Sequence, residues 1–330
     1  MKSRISLCMI VKNEEEFLSQ CLRSVEGITD EVIVVDTGST DSTKKIAEQF
    51  GAVVISHEWH NNFSEARNIS LDRASGDWIL MLDADEELPE ETRNKIPDAI
   101  DSSDSDGIEM IVRSNMPETD IVRFDESRIV RLFANRKEYR YSMPIHEQIR
   151  PSIEKSGGKI VSSDLVIVHH GYSRPNVQGD KNRAERNLGI LFDALLRSPE
   201  DPYLHYQLGS TLMSAGKRDE AYRELRKVLD MNYLQMGSLV LERFFMKLSQ
   251  LALEKNENDL ALQFAEKCLQ YNPANTISKY VVAISNLSMG RIGDGYRMLL
   301  SIREDRDVNI KLGIQLDHLI QACRQVLNIG

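Results

Sequence analysis

Gly76-Asp77-Trp78-Ile79-Leu80-Met81-Leu82-Asp83-Ala84-Asp85-Glu86 is the stretch on which the reading of this chain turns. Trp78 to Leu82 is a continuous apolar run with no polar alternation, which predicts a strand covered on both faces, as in the interior of a parallel sheet. The run closes on Asp83 and Asp85. In an extended segment, carboxylates at i and i+2 point to one side. Open α/β sheets bind ligands at the carboxyl ends of their strands. A pair of hard oxygen ligands at that place suits Mg²⁺ or Mn²⁺.

Upstream, the same rhythm of apolar run, turn and helical period recurs. Ile5 to Val11 predicts a strand, followed by a helix over Glu14 to Val25 with Phe17, Leu18, Cys21, Leu22 and Val25 at spacings of three and four. Glu14, Glu15 and Glu16 suit the positive end of that helix. Val32 to Val35 predicts the next strand, and Asp36-Thr37-Gly38-Ser39-Thr40-Asp41-Ser42 turns the chain into a helix over Thr43 to Phe50. Val53 to Ile55 and Ala66 to Ala74 give a third strand and a third helix. Strands alternating with helices predict a parallel nucleotide-binding sheet.

Downstream, Ile108 to Val112, Arg128 to Phe133, Ile145 to Ile149 and Leu165 to His169 read as short β runs completing the same domain. The acidic runs at 86–91 and 101–106 read as solvated loops. After Pro175 the chain turns helical and repetitive. Leu208-Gly209, Leu212, Gly216, Ala221, Leu225 and Val228 occupy tetratricopeptide offsets, as do Leu248, Ala252, Ala261, Ala265, Cys268 and Pro273. A looser third set is Val282-Ala283, Gly290, Gly295, Leu299 and Ile302. Ala261 and Gly295 are 34 residues apart, the period of that repeat, and Ala221 and Ala261 are 40 apart. The excess implies an insertion of about six residues near Met231 to Ser238. Ile310 to Val326 is expected as a capping helix. The expected domains are therefore 1–174 and 175–330.

With 330 residues, two domains are the default. The net charge of -10 argues against a surface built for nucleic acid. Cys8, Cys21, Cys268 and Cys323 lack metal or redox spacing and read as reduced packing residues. No window approaches the ~20 apolar residues of a membrane span. The expected location is cytoplasmic.

Four segments in order carry a resemblance: Ile5-Ser6-Leu7-Cys8-Met9-Ile10-Val11-Lys12-Asn13-Glu14, Val34-Val35-Asp36-Thr37-Gly38-Ser39-Thr40-Asp41-Ser42-Thr43, Phe63-Ser64-Glu65-Ala66-Arg67-Asn68, and the Asp83-Ala84-Asp85 stretch. Over about the first ninety residues the chain resembles family 2 glycosyltransferases. Met143-Pro144-Ile145-His146-Glu147-Gln148-Ile149 and His169-His170-Gly171-Tyr172 are similar to segments of family 2 enzymes with appended repeats, among them the sublancin-type peptide S-glycosyltransferases. The resemblance implies a GT-A fold, Rossmann-like with a mostly parallel α/β sheet, ahead of an all-α tetratricopeptide-like domain. It implies an inverting hexosyltransferase that uses Mn²⁺ or Mg²⁺ and a UDP-sugar, or a GDP-sugar.

By that resemblance Asp85 is the principal metal ligand, Asp83 faces ribose and metal, and His169 completes the metal site. For His169, a hydrogen-bonded histidine at a domain boundary is the plain alternative. Val11, Asn13, Glu14, Asp36, Arg67, Asp83, Ala84 and Arg131 are the expected nucleotide-sugar contacts. Asp36 would read the uracil ring or cap the following helix, and Asn13 would touch the nucleotide or cap a helix. Arg128 and Arg131 are taken to share one side of a strand, there to clamp the diphosphate or to flank the sheet. Glu147 is the candidate general base, with His146, Asp120 and Asp125 as alternatives. Trp59 and Phe63 stack on a ligand or pack in the core. No nucleophilic Ser or Cys triad, dinucleotide loop or Walker motif is present.

The repeats offer a concave surface for an extended partner. A peptide or protein acceptor, or a glycan, fits that surface. A helical domain that props up the catalytic one, or that forms a homodimer, is the plainer alternative. The rivals are a lipopolysaccharide-core or capsule glycosyltransferase, a nucleotidyltransferase, and a non-catalytic tetratricopeptide scaffold.

Overall fold

The computed structural model describes residues 3–101, 104–114, 125–171, 177–304 and 310–328. It divides into two compact units, Met1–Val177 and Gln178–Gly330. The expected boundary at 174/175 lies outside the described residues.

The first unit runs β1 (Ile5–Val11), α1 (Leu18–Ser24), β2 (Glu31–Asp36), α2 (Thr43–Gln49), β3 (Val53–Ser56), α3 (Phe63–Arg73), β4 (Trp78–Met81), β5 (Glu86–Glu87), α4 (Glu90–Asp101), β6 (Gly107–Ser114), β7 (Asp125–Ala134), α5 (Arg150–Lys155) and β8 (Ile160–His169). One eight-stranded sheet has the order β3-β2-β1-β4-β7-β6-β8-β5. Strands β3, β2, β1 and β4 are mutually parallel, as are β6 and β8. Strand β7 runs antiparallel to β4 and β6, and β5 antiparallel to β8. This is the expected mostly parallel α/β sheet.

The continuous apolar strands sort by period two onto opposite faces. Ile5, Leu7, Met9 and Val11 of β1 join Trp78, Leu80 and Leu82 in one core. Cys8 joins Ile33, Ile79 and Met81 in the other. Register pairs Val11 with Asp36 and Cys8 with Met81. Asp36 and the Asp83 segment therefore both stand at the carboxyl edge of the parallel strands, where this topology binds ligands.

Three segments differ from the sequence reading. Ile145 to Ile149 is not a strand, and only an isolated bridge joins Ser142 to Gln148. Met143 and His146 take positive φ of 77° and 54°, which coils the segment, and Ile145 and Ile149 are buried as loop anchors. The acidic run at 86–91 is not a solvated loop. Glu86–Glu87 forms β5, and Glu90 and Glu91 occupy the first turn of α4, where the helix dipole favours negative charge. Helix α1 begins at Leu18 rather than Glu14, because residues 15–17 form turns.

The second unit is helical: α6 (Val177–Arg197), α7 (Pro202–Ser214), α8 (Arg218–Val228), α9 (Ser238–Glu254), α10 (Asn258–Tyr271), α11 (Thr276–Ser288), α12 (Ile292–Arg303) and α13 (Ile310–Leu327). Helices α7 and α8, α9 and α10, and α11 and α12 pack as antiparallel pairs joined by short turns. The first pair closes at Gly209. A Cβ there would lie 2.5 Å from Cγ of Leu225, so only glycine lets α8 approach. A 3₁₀ turn at Tyr233–Met236 occupies the inferred insertion. Leu316, Ile320 and Cys323 of α13 cover Ala283, Leu299 and Ile302 of the last pair. All four cysteines are free and buried. Among the described residues no helix is long and apolar enough to cross a membrane.

Candidate active site

Helix α3 organises the site. Its N-cap, Asn62, accepts from the Glu65 N–H, an end-capping that fixes where the helix starts. From that start, three groups make four hydrogen bonds to the coiled loop 141–147. The Phe63 N–H donates to Pro144 O at 2.8 Å, and the Ser64 hydroxyl donates to Met143 O. Asn68 both accepts from the Tyr141 N–H (2.9 Å) and donates to Tyr141 O (3.0 Å). The positive φ values at Met143 and His146 are strained for non-glycine residues and persist because these bonds hold the loop. The loop delivers Glu147 to Arg67.

Arg67, 6% exposed, donates from Nε to Glu147 Oε1 (2.6 Å) and from Nη2 to Asp83 Oδ1 (2.7 Å), with its guanidinium 5.6 Å from the Tyr141 ring. Arg131, 7% exposed, donates from Nη2 to Asp83 Oδ2 (3.0 Å) and to Glu86 Oε1 (2.6 Å). Glu86 is 2% exposed and its Oε2 accepts from the Asp83 N–H at 2.8 Å. Both oxygens of Asp83 are thus held by arginines. Burial raises the Asp83 pKa, but Arg67 and Arg131 outweigh it and hold the carboxyl well below the usual range. Burial lifts Glu86 to about 7 against the pull of Arg131, with Asp83 adding to the rise. Arg67 Nη1 and Arg131 Nε are buried donors with no partner among the described residues.

Asp85 stands apart from this cluster. Its Oδ2 lies 3.1 Å from Nε2 of His169, whose Nδ1 is 3.3 Å from Ser114 Oγ. The antiparallel pairing of β5 with β8 sets Glu86 opposite His169 and so fixes that approach. Burial lowers the His169 pKa, but the hydrogen bond and charge of Asp85 overcome it, and the net shift is upward. If Nδ1–H serves Ser114, a neutral His169 turns a lone pair on Asp85, and two acceptors at that distance need a proton or a cation between them. Neighbouring ligands of an octahedral ion with bonds of about 2.1 Å are about 3.0 Å apart. The pair therefore fits a divalent ion. Gly171 closes the other side. A Cβ there would lie 2.3 Å from Asp85 Oδ2 and 2.9 Å from His169 Nε2. Gly171→Ala is expected to push the two apart and weaken Mn²⁺ binding at least tenfold by isothermal titration, with thermal stability little changed.

The other expected residues fall as follows. Asp36, 1% exposed, accepts from the backbone N–H groups of Gly38 and Ser39, both at 3.1 Å, with Lys44 Nζ 4.0 Å away. It does not cap α2, since Asp41 meets the Thr43 N–H at 2.9 Å. Asn13, at φ 58°, caps no helix; its Oδ1 accepts from Thr40 N, tying the loop after β1 to the loop after β2. Glu14 N–H donates to Thr43 Oγ1, and Val11 O accepts from Thr37. Ala84 is buried between the two aspartates. Arg128 borders the same cavity as Arg131, since a register shift at Arg131 breaks the simple alternation of the strand, but Arg128 is exposed with Nη1 on Ser163 O. His146 is exposed at the rim of the loop, and the neighbouring protein still desolvates it enough to lower its pKa. Trp59 and Phe63 pack edge-to-face at 4.7 Å. Asp120 lies outside the described residues, as does the Asp125 side chain.

Sequence reasoning passed over Glu86 and Tyr141. Glu86 carried a signal, being the next residue after Asp83-Ala84-Asp85, while nothing local marked Tyr141. A cavity of about 270 Å³ is lined by Arg67, Asp83, Arg131, Tyr141, His146 and Glu147 among others, near the small end of ligand pockets. A larger depression of about 490 Å³ lies at the start of β2, lined by Glu26, Asp30 and Glu31. It is at the amino end of the strands, away from every residue above.

Residues 6–151 match the family described as Glycosyl transferase family 2, and residues 202–233 and 242–275 match the tetratricopeptide repeat. A TPR repeat-containing protein of Synechococcus elongatus is 38% identical over 233 residues, covering 69% of this chain and 57% of the relative. The SPbeta prophage-derived glycosyltransferase SunS of Bacillus subtilis is 29% identical over 231 residues, 69% of this chain and 54% of the relative. The chain thus spans little more than half the length of these relatives. Among solved structures, Staphylococcus aureus TarS 1-349 in complex with UDP-GlcNAc aligns with a TM-score of 0.47 at 14% identity, covering 87% of this chain and 92% of that one.

Proposed function

We propose that this chain, which carries a glycosyltransferase family 2 domain ahead of tetratricopeptide repeats, is a metal-dependent inverting hexosyltransferase using a UDP-sugar, or a GDP-sugar. The observation that carries the reading is the pair of buried, unpartnered guanidinium donors, Arg67 Nη1 and Arg131 Nε, on arginines already aimed at Asp83. A buried donor without a partner costs about 1–3 kcal/mol. Here that cost leaves N–H groups ready for an anionic ligand at the carboxyl edge of the sheet. A diphosphate supplies the acceptor oxygens they lack.

Asp85 and His169 are the residues that would hold Mn²⁺ or Mg²⁺. Such an ion supplies charge neutralisation for the departing nucleoside diphosphate. Arg67 and Arg131 orient the diphosphate and lock Asp83 toward the ribose, while Asp36 takes the base. The acceptor hydroxyl or thiol attacks the anomeric carbon as the bond to the diphosphate oxygen breaks, and its proton passes to Glu147. Arg67 fixes that carboxylate in the cavity wall. A thiol acceptor would ask less of Glu147, because thiolate is accessible near neutral pH. The repeats offer a surface for a peptide or protein acceptor, and a glycan is the alternative acceptor.

Titrating the full chain with UDP-glucose, UDP-N-acetylglucosamine, UDP-galactose and GDP-mannose, each with Mn²⁺, tests the reading. At least one binds and is turned over. If none binds, and Asp85→Ala changes nothing, the reading fails. Glu147→Gln is expected to lower kcat about 10²–10⁴-fold, with donor affinity changed far less, as read by steady-state kinetics.

A further inference from the structure

The β3–α3 connection carries chemistry that the proposed transfer does not use. His57 follows β3, His60 stands three residues on, and Glu65 lies in the first turn of α3. Their candidate ligand atoms all lie within 4.8 Å of one another. Glu65 Oε1 is 2.9 Å from His60 Nδ1 and 3.5 Å from His57 Nε2, and the two rings meet edge-on at 5.1 Å. Asn61 at φ 57° supplies the curl that brings both imidazoles to the same carboxylate oxygen.

We propose that His57, His60 and Glu65 form a distinct zinc site that staples the β3–α3 loop. Two imidazoles and one carboxylate are a donor set for borderline transition metals rather than for Ca²⁺ or Mg²⁺. Ligands of a tetrahedral ion with bonds of about 2.0–2.1 Å sit about 3.3 Å apart, and the two measured separations straddle that value. Rigid groups hold the ligands. The His57 N–H donates to Asp36 O at 2.9 Å, and Glu65 is fixed through its N–H on the Asn62 cap. His60 is more than half exposed, with a side-chain accessibility of 52%, so the fourth position opens to water. Zinc is held by neutral imidazoles, so its affinity would fall on acidification. Helix α3, held at its first turn, is the element that carries Arg67 and Asn68. The inference is independent of the glycosyl-transfer reading.

The test uses the full chain stripped with EDTA and no nucleotide-sugar. Its background is the Asp85→Ala/His169→Ala double variant, which removes the other candidate site. Zinc bound after gel filtration is counted by elemental analysis, and Co²⁺ serves as the spectroscopic probe. The double variant is expected to hold one zinc per chain and to show the visible absorption of four-coordinate Co²⁺. Its Tm should rise by about 5 °C at a hundredfold excess of zinc over Kd. Adding His60→Ala removes the ion, the absorption and the Tm shift, whereas His60→Cys, another zinc ligand, retains them. The inference is overturned if the double variant binds no zinc, or if His60→Ala binds it as tightly as the background.

Discussion

Asp85→Ala is expected to lower the rate of nucleoside diphosphate release from the donor by about 10²–10³-fold. A metal at a leaving diphosphate contributes several kcal/mol to the transition state, and each 1.36 kcal/mol is a tenfold change in rate. Among the described residues the Asp85 side chain is not part of the arginine-held cluster, so its loss should leave that cluster intact. Asp85 shares no oxygen with Arg67 or Arg131, and its side-chain partner is His169 at 3.1 Å. His169→Ala should give a comparable loss. The double variant should lose little more than either single one, because removing either ligand already disables the shared ion. Additive losses in the steady-state rates would mean that the two residues act separately.

Arg131→Ala is expected to cost stability as well as activity. Arg131 is the cation between Glu86, at 2.6 Å, and Asp83, at 3.0 Å. Removing one partner of a buried ionic cluster costs about 3–5 kcal/mol, because the charge left behind stays desolvated. For a domain of this size that is roughly 6–20 °C in Tm. The loss should also depend on pH. The Glu86 pKa in the folded state is about 7, above its ordinary 4.5. A raised carboxyl favours folding most at low pH and loses that contribution as pH rises through the folded value. Without Arg131 the Glu86 pKa climbs further, so Arg131→Ala should be hurt more at pH 8 than at pH 6 in thermal melts. Adding Glu86→Gln to Arg131→Ala should recover part of the loss. A variant that melts like the wild type at both pH values would show that the cluster contributes no stability.

The parallel half of the sheet was legible because Ile5 to Val11, Val32 to Val35 and Trp78 to Leu82 are buried on both faces and so carry no polar alternation. The repeats were legible because close helix packing demands a small residue such as Gly209 at a fixed offset. The antiparallel half was less so. The loop 141–149 has the apolar content of a strand, but its shape is set by distant bonds from Ser64 and Asn68 and by positive φ at Met143 and His146. Local pattern does not encode bonds of that range. Glu86 was misread for a related reason. Its burial depends on Arg131, 45 residues away, and a glutamate in an acidic run reads as solvated until that partner is seen. What the sequence did reveal about the site was which polar residues stand at strand ends. The structure adds that Asp83 and Asp85 stand in different surroundings, one clamped by two arginines and the other facing a histidine.

The most direct test of metal-dependent glycosyl transfer is the rate of nucleoside diphosphate release from the donor, measured on the full chain after EDTA treatment and again after Mn²⁺ is restored. The account predicts that release falls to background in EDTA and returns with Mn²⁺ in the wild type, and that Mn²⁺ restores nothing to Asp85→Ala. Undiminished release in EDTA, or equal recovery by Asp85→Ala, would contradict it.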